Sequence, residues 1–284
     1  MRIHQNRRLP QVSPEDIRFT LLAIGLVPVC LTVLYPYRAL KSTGLYFGRE
    51  VGCFPERSPR GSGQWYCHRY PKPILLPQSP RVQQAIDFDR LSKVYDGLIG
   101  MSSVPILQEA IRLISLLAVP NSRILDLSCG PGTEIPALAA LVPRGEVVGV
   151  DLAAGMVVES YERARREDVS NAAFIQGDAQ KLPSDFEGRF DLILCCNSFH
   201  HYPDPLAALM EMRRVLRVDG KAIIIDPRLA QYFLMTEQIA RWGDPGYVGF
   251  YSPQEFHRLF MTANYDSFYW NEMLPCIGVS IGTK

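Results

Sequence analysis

The sequence predicts a doubly wound α/β fold, in which helices cover both faces of a mostly parallel sheet. Short apolar segments of strand length alternate with helical segments between residues 123 and 225. A glycine-bearing turn, Cys129 to Thr133, joins the first strand to a helix, and acidic residues follow successive strands. Ligands of such folds lie at the carboxyl ends of the strands, so these residues predict a binding site there.

The first strand, turn and helix lie within residues 123–141. Asp126 stands near the end of the apolar strand, and Gly130 and Gly132 form a turn that leads into a helical pattern from Ile135. In this geometry backbone N–H groups and the helix N-terminus face a ligand, and glycine leaves room for its approach. The Asp126 carboxylate can accept hydrogen bonds from a cationic or N–H-bearing group.

The next two predicted strands, residues 146–151 and 172–176, also lead to acids, Asp151 and Asp178. Asp151 lies 21 residues beyond the first glycine of the turn, a spacing at which a carboxylate binds ribose hydroxyls. Its alternative role is the N-cap of the following helix, Met156–Arg166. Asp178 is placed to accept a hydrogen bond from an adenine amino group.

The fourth strand, residues 190–196, is apolar apart from Asp191, as expected for a strand buried on both faces of a parallel sheet. His200 and His201 follow it at its carboxyl end. A helix over residues 205–216 then leads to a fifth strand, residues 221–225.

The C-terminal part of the chain follows a different pattern. A capping box of Ser252 and Glu255 begins a helix. Residues 265–271 and 276–281 follow as two strands without a helix between them, which predicts an antiparallel hairpin at the sheet edge. The long aromatic segment 226–251 lies between the last crossover strand and that helix, and it is a candidate substrate lid.

Composition divides the chain near residue 80. The first 80 residues carry 11 Lys and Arg against 4 Asp and Glu, whereas the remainder carries 19 against 25. We therefore predict an N-terminal extension, residues 1–80, followed by one domain, residues 81–284. That domain begins with an amphipathic helix over residues 82–99 and a second helix opened by Pro105. Because the domain is acidic and lacks a basic stripe, no nucleic-acid partner is predicted.

The extension contains an uncharged apolar segment, residues 19–37, bracketed by Arg18 and Arg38. Its length is close to the ~20 residues that cross a bilayer core. Three interpretations remain open: a membrane anchor or in-plane insertion, a buried helix–turn–helix packed on the domain, and a cleaved targeting peptide. The first predicts a membrane-associated protein with its catalytic domain in the cytoplasm, and the second predicts a soluble cytoplasmic protein. The composition of residues 41–80 predicts an irregular Pro- and Gly-rich loop or linker, and the sequence predicts no oligomeric state.

The cysteine pattern favours buried reduced thiols over a disulfide framework. The seven cysteines are odd in number and include no CxxC pair. Cys53, Cys67 and His68 would supply three zinc ligands without an obvious fourth, so no metal site is predicted.

Five motifs in order give the chain from about Asp87 to Lys284 a resemblance to class I S-adenosylmethionine-dependent methyltransferases. They read LDLSCGPGT, VVGVDLAAGM, FIQGDAQKLP, FDLILCCNSFHHYPDP and MRRVLRVDGKAIIID. Through FDRLSKVYD and SPQEFHRLFMTANY, the chain is most similar to the small-molecule group that includes the ubiquinone and menaquinone C-methyltransferases. The resemblance implies a Rossmann-like fold of seven strands, the last antiparallel, and S-adenosylmethionine as the cofactor.

The same resemblance implies which residues bind this cofactor. They are Asp126, Ser128, Gly130 and Gly132 around the methionine moiety, Tyr95 and Asn197 at its border, Asp151 at the ribose, Leu152, Asp178 and Ala179 at the adenine, and Met156 in the second motif. Two departures stand out. Ser128 occupies a position where the family usually has glycine, so its backbone is expected to avoid positive φ. After Asp96 the chain does not continue with the pattern of the quinone methyltransferases.

The resemblance implies in-line methyl transfer to a small acceptor, and the apolar extension and aromatic lid suggest a quinone, lipid or phenolic metabolite. His200 and His201 are the candidate general bases. Alternatively, one of them packs against the cofactor and the other caps or faces solvent. A catalytically silent scaffold or assembly factor at a membrane is the competing hypothesis. A NAD-dependent dehydrogenase is disfavoured, because SCGPGT does not supply the GxGxxG turn.

Overall fold

The computed structural model describes residues 73–75, 101–228, 246–274 and 277–284. The apolar segment 19–37, the helix predicted over residues 82–99 and Tyr95 lie outside the described residues, as do Cys53, Cys67 and His68. The described elements are α1 Met101–Leu117, β1 Arg123–Leu127, α2 Ile135–Leu141, β2 Glu146–Asp151, α3 Ala154–Arg166, β3 Ala172–Gln176, β4 Phe190–Cys196, α4 Pro205–Val215, β5 Leu216–Pro227, α5 Pro253–Thr262, β6 Ser267–Leu274 and β7 Ile277–Thr283.

The seven strands form one sheet in the order β3-β2-β1-β4-β5-β7-β6. The first five are parallel, whereas β7 pairs antiparallel with both β5 and β6. The predicted doubly wound sheet with a hairpin at its edge is therefore confirmed. Strands β2 and β3 extend from β1 in one direction and β4 and β5 in the other, so the topological switch point lies between β1 and β4.

Two apolar layers bury the faces of the sheet, because consecutive strand residues point to opposite sides. Leu125 and Leu127 of β1 pack with α4 and α5, whereas Ile124 packs with the helices α1, α2 and α3. Strand β4 is buried along almost its whole length, as its mostly apolar sequence predicted, and the buried residues include Asp191. This burial holds the carboxyl ends of β1 and β4 in fixed positions beside each other.

Two predicted boundaries and the alternative role of Asp151 as an N-cap were wrong. Helix α1 begins at Met101, so Pro105 lies inside it, near enough to the N-terminus for few backbone bonds to be lost. Helix α3 has Ala153 as its N-cap, so Asp151 does not cap it. Strand β5 begins at Leu216 rather than at residue 221, because Leu216 already pairs with the first residue of β4.

Residues 73–75 of the predicted extension pair with the outer edge of the sheet. The Ile74 N–H donates to the Phe174 carbonyl at 2.9 Å, and the Gln176 N–H donates to the Ile74 carbonyl at 2.7 Å. This short parallel bridge covers part of the free edge of β3. The predicted boundary at residue 80 stays a prediction, but these contacts matter for any truncation.

Among the described residues, none of the helices has the length and apolar content needed to cross a bilayer.

Candidate active site

The carboxylate of Asp126 is the most unusual group at the switch point. Its side chain is 1% exposed, and neither of its oxygens has a hydrogen-bond partner among the described residues. Burial raises the pKa of this carboxyl well above its usual range, and the nearby carboxyls of Glu134 and Asp151 raise it further. A buried carboxylate without a donor destabilises the protein unless a ligand supplies one, and a cationic group would suit it best.

Glu134 is a site residue that the sequence analysis missed. It precedes α2, and it is 6% exposed although its side chain makes no capping hydrogen bond to that helix. Its proximity to Asp126 places two acids at the base of the same turn. The available signal was an acid directly after the glycine turn and before an apolar helix.

Asp151 connects the turns that follow β1 and β2. One of its oxygens accepts from the Gly130 N–H at 2.9 Å, and the other accepts from the Ala153 N–H at 2.9 Å. The carboxylate therefore orients the glycine turn, which the sequence did not predict. Ribose binding by Asp151 stays a prediction.

The two turn glycines have different surroundings. Both have positive φ, +52° at Gly130 and +71° at Gly132. A Cβ at Gly130 would meet nothing within 4 Å, whereas a Cβ at Gly132 would lie 2.2 Å from the Ser160 hydroxyl oxygen. Gly132 is thus required by packing against α3, and Gly130 faces open space in which a ligand could approach the backbone.

The prediction that Ser128 avoids positive φ was wrong. Its φ is +59°, the conformation that glycine would adopt there. The Ser128 hydroxyl lies 2.8 Å from the Tyr202 hydroxyl, and the Tyr202 hydroxyl lies 3.4 Å from the Cys195 thiol. Left-handed backbone costs a non-glycine residue about 1–2 kcal/mol, which a hydrogen bond of about 1 kcal/mol offsets in part.

We expect Ser128→Ala to lower the free energy of unfolding by about 1 kcal/mol, because it keeps the strained φ and loses the hydrogen bond. Ser128→Gly loses the same bond but relieves the strain, so it should be more stable than Ser128→Ala by about 1 kcal/mol. Urea denaturation measures both. Tyr202→Phe is the matched variant on the other side of the bond, and an alanine variant as stable as the wild type would contradict the expectation.

The remaining predicted cofactor residues lie at the ends of β2, β3 and β4 and, for Met156, inside α3. Asp178 accepts from the Gln180 N–H at 2.9 Å, and the Leu152 carbonyl accepts from the Gln176 side chain at 3.0 Å. Asn197 has a φ of +52°, and its N–H donates to the Ile225 carbonyl of β5. Ala179 and Met156 are 6% and 2% exposed. The cofactor contacts of all these residues stay predictions.

His200 and His201 lie beside Asp226, for which the sequence predicted no role. His200 is 5% exposed, its Nδ1 lies 2.9 Å from Asp226 Oδ1, and its backbone N–H donates to Asp226 Oδ2 at 2.9 Å. His201 Nε2 lies 2.6 Å from His200 Nε2. The sequence feature that indicates this contact is that His200 and Asp226 lie at the carboxyl ends of two parallel strands, β4 and β5.

Aromatic side chains of the predicted lid pack around His200. The ring centroids of Tyr247 and Phe250 lie 6.3 Å and 5.5 Å from that of His200. The Val248 and Gly249 N–H groups donate to the His200 carbonyl, which fixes this segment over the end of β4. We call Tyr247, Phe250 and Tyr251 the aromatic wall.

Comparison with known families identifies this arrangement. The family described as "methyltransferase domain" matches residues 118–261, about half of the chain, and this range contains every predicted site residue except Tyr95. The chain belongs to this methyltransferase domain family. It is a class I S-adenosylmethionine-dependent methyltransferase domain, and its cofactor is S-adenosylmethionine.

Two curated methyltransferases show the extent of the sequence similarity. The chain is 32% identical over 141 residues to the uncharacterized methyltransferase YcgJ of Bacillus subtilis, which is 49% of this chain and 54% of that protein. It is 34% identical over 113 residues to a demethylmenaquinone methyltransferase of Staphylococcus carnosus, which is 39% of this chain and 46% of that protein. The chain thus spans about half the length of these relatives.

Solved structures agree with the fold. The crystal structure of YcgJ from Bacillus subtilis superimposes with a TM-score of 0.52 at 27% identity, covering 59% of this chain and 71% of YcgJ. A SAM-dependent methyltransferase from Aquifex aeolicus superimposes with a TM-score of 0.53 at 20% identity, covering 64% and 92% of the two chains. The second similarity supports the fold alone.

The residues present fit S-adenosylmethionine. The Asp126 carboxylate, which no donor of the described segments reaches, suits the ammonium group of the methionine moiety, since a charged donor compensates a buried carboxylate best. The open space beside Gly130 would admit the ligand to the turn.

Proposed function

We propose that the protein transfers a methyl group from S-adenosylmethionine to a small, apolar acceptor, of the quinone, lipid or phenol class. The observation that carries this proposal is the buried Asp126 at the switch point, which has no hydrogen-bond partner among the described residues, together with His200 packed against the aromatic wall after the neighbouring strand. One end of this region would hold the cofactor, and the other would hold the acceptor.

The bound cofactor would supply an electrophilic methyl group, and the protein would supply proximity, orientation and exclusion of water. Asp126 would bind the cofactor's ammonium group, and Asp151 would hold the Gly130 turn while binding ribose. Asp178 would accept from the adenine amino group. His200 contacts the aromatic wall and His201 contacts His200, and these two histidines are the candidate catalytic residues.

Two observations support an apolar aromatic acceptor. The aromatic wall offers ring faces against which a planar acceptor can stack. Several relatives are named demethylmenaquinone methyltransferase, and the enzyme of that name in Staphylococcus carnosus is 34% identical to this chain over 113 residues. A quinone or related phenol is therefore the acceptor class to test first.

The same acceptor class would suit an enzyme held at a membrane. The apolar segment 19–37 and the basic excess of the first 80 residues support an anchor at an anionic membrane surface, with the catalytic domain in the cytoplasm. If segment 19–37 instead packs on the domain, we expect a soluble cytoplasmic protein.

Calorimetric titration with S-adenosylhomocysteine tests the proposed function. We expect one site per chain with a Kd in the micromolar range, and transfer of a radiolabelled methyl group into lipid extracts containing quinols. Absence of binding would contradict the proposal and favour the silent scaffold. Binding without transfer to any extract component would contradict the acceptor class.

Cell fractionation tests the membrane proposal. The matched truncation should lack residues 1–60 rather than 1–80, because Ile74 pairs with β3 and its loss would expose the sheet edge. We expect the full-length protein in the membrane fraction and the truncated protein in the soluble fraction. Full-length protein that is wholly soluble would contradict the anchor.

A further inference from the structure

We propose that Tyr202 is a positioning residue for the cofactor. Its hydroxyl would hold the turn after β1, residues 128–133, in the conformation that binds S-adenosylmethionine. We call this segment the cofactor turn. The inference rests on the proposed function in one respect, namely that the cofactor turn binds the methionine moiety. It adds a residue from the segment after β4 that acts through Ser128 and needs no contact with the ligand.

The conformation of Ser128 needs support from outside the cofactor turn. Its φ of +59° is one that L side chains rarely adopt, whereas glycine adopts it without strain. The Ser128 hydroxyl lies 2.8 Å from the Tyr202 hydroxyl, within ordinary hydrogen-bond distance. This bond stabilises a conformation that serine would otherwise avoid. Tyr202 therefore provides at this position what glycine provides by lacking a side chain.

Tyr202 is itself held in place by β4 and by the segment that follows it. It is 4% exposed, its hydroxyl lies 3.4 Å from the Cys195 thiol, and its ring meets that of Phe199 at 5.4 Å. The Cys195 sulfur lies 3.3 Å from the Ser198 hydroxyl. Burial raises the pKa of the Tyr202 hydroxyl well above its usual range, so this group stays protonated and neutral. The supporting hydroxyl thus has a fixed position and a fixed charge state.

The other side of the cofactor turn is attached to β2. The Cys129 N–H donates to the Val150 carbonyl at 3.1 Å, and the Gly130 N–H donates to the Asp151 carboxylate at 2.9 Å. Because β2 and β4 lie on either side of β1, these bonds and the Ser128 hydroxyl fix the turn from both directions. A site that is ordered before its ligand arrives loses less conformational entropy on binding, so each attachment should contribute to affinity.

Loss of the Tyr202 hydroxyl is expected to release Ser128 from its left-handed conformation. Ser128 lies between Asp126 and Gly130 in the chain, so a change in its φ would move the Gly130 backbone relative to the Asp126 carboxylate. The two groups would then no longer fit the same ligand. With glycine at position 128 the conformation carries no strain. Cofactor affinity should therefore depend on Tyr202 only while serine occupies that position.

Calorimetric titration of the full-length protein with S-adenosylhomocysteine tests this dependence. We expect Tyr202→Phe to raise Kd by about fivefold or more, the factor that corresponds to one hydrogen bond. In a Ser128→Gly background the same change at Tyr202 should alter Kd by less than about twofold. An equal change in both backgrounds, or no change in either, would overturn the inference, because a general structural role of Tyr202 does not depend on the residue at position 128.

Tyr265 provides the matched control. It is also a buried tyrosine, 4% exposed, and its hydroxyl donates to the Leu209 carbonyl of α4 at 3.2 Å. Tyr265→Phe should lower the stability in thermal unfolding experiments and leave the Kd for S-adenosylhomocysteine unchanged. If it weakened binding as much as Tyr202→Phe, the loss of any buried hydroxyl would explain the effect and the positioning role of Tyr202 would be wrong.

Two serine variants test the inference with Tyr202 intact. Ser128→Ala and Ser128→Gly both lose the hydroxyl, but only alanine has a side chain that disfavours positive φ. Ser128→Ala should therefore bind S-adenosylhomocysteine about fivefold more weakly than Ser128→Gly. Equal affinities of these two variants would contradict the inference.

Asp126→Asn, measured in parallel, separates this inference from the proposed function. If the wild type binds no S-adenosylhomocysteine, or if Asp126→Asn binds it as tightly as the wild type, the cofactor turn is not the cofactor site and the proposed function itself is wrong. If Asp126→Asn weakens binding and Tyr202→Phe does not, only the positioning role of Tyr202 is wrong.

Discussion

Replacing Asp126 with asparagine is expected to weaken binding of S-adenosylhomocysteine by about 100-fold or more, while stabilising the ligand-free protein. The buried carboxylate has no hydrogen-bond partner in the described part of the chain, which leaves its desolvation cost without compensation in the ligand-free protein. The ammonium group of the ligand would remove that cost by pairing with it. Loss of one partner of a buried ion pair costs about 3–5 kcal/mol, which corresponds to at least two decades in Kd.

The pH dependence of stability gives this expectation a second readout. Burial and the neighbouring acids raise the pKa of Asp126 in the folded state above its unfolded value. The folded state therefore holds this proton more tightly, and the contribution of Asp126 to stability falls as the pH rises above about 4, the unfolded pKa. Asp126→Asn removes this pH-dependent loss of stability. The difference in melting temperature between the variant and the wild type should therefore grow as the pH rises.

Asp191 provides the matched control for this variant. It is a buried acid, 8% exposed, but it accepts from the Arg123 N–H at 2.7 Å and pairs with Arg217. Asp191→Asn should destabilise the protein and leave the affinity for S-adenosylhomocysteine unchanged. If Asp126→Asn also destabilised the protein and left this affinity unchanged, the Asp126 carboxylate would not be the group that binds the cofactor's ammonium group.

The second large effect is expected from the two glycines of the cofactor turn. Gly132→Ala should destabilise the protein by about 3 kcal/mol, because it combines a positive φ with a Cβ 2.2 Å from the Ser160 hydroxyl oxygen. Gly130→Ala has a similar φ but no contact within 4 Å, so it should cost only about 1–2 kcal/mol.

Gly130→Ala is expected to lose more ligand affinity than Gly132→Ala, which is the opposite of the order expected for stability. The new Cβ at Gly130 would enter the open space beside the turn, so S-adenosylhomocysteine should bind about tenfold more weakly. Folded Gly132→Ala protein should lose less affinity, since its Cβ points towards α3. Urea denaturation and calorimetry measure the two effects. Equal loss of affinity in both variants would show that Gly130 is not adjacent to the ligand.

The two halves of the site meet through contacts between β1 and β4. Ser128 and Tyr202 connect the cofactor turn to the segment that carries both histidines, and Asp226 fixes that segment from β5. A displacement of either turn would therefore change both the cofactor site and the acceptor side. This coupling is consistent with a reaction that depends chiefly on the relative position of two bound molecules.

The sequence by itself determined the order of strands and helices, the acids at the ends of the parallel strands and the hairpin at the edge. These features depend on local periodicity, on turn residues and on the rule that parallel strands end at the same side of a sheet, so they can be derived from short segments.

The tertiary structure alone decided the conformation of Ser128, the isolation of Asp126 and the pairing of His200 with Asp226. Ser128 tolerates a positive φ because a hydroxyl 74 residues away bonds to it. The Asp126 carboxyl has a raised pKa because the fold buries it next to two other acids. Asp226 and His200 meet because β4 and β5 are neighbours in the sheet. Each outcome depends on which distant groups the fold brings into contact, and such contacts cannot be derived from local pattern.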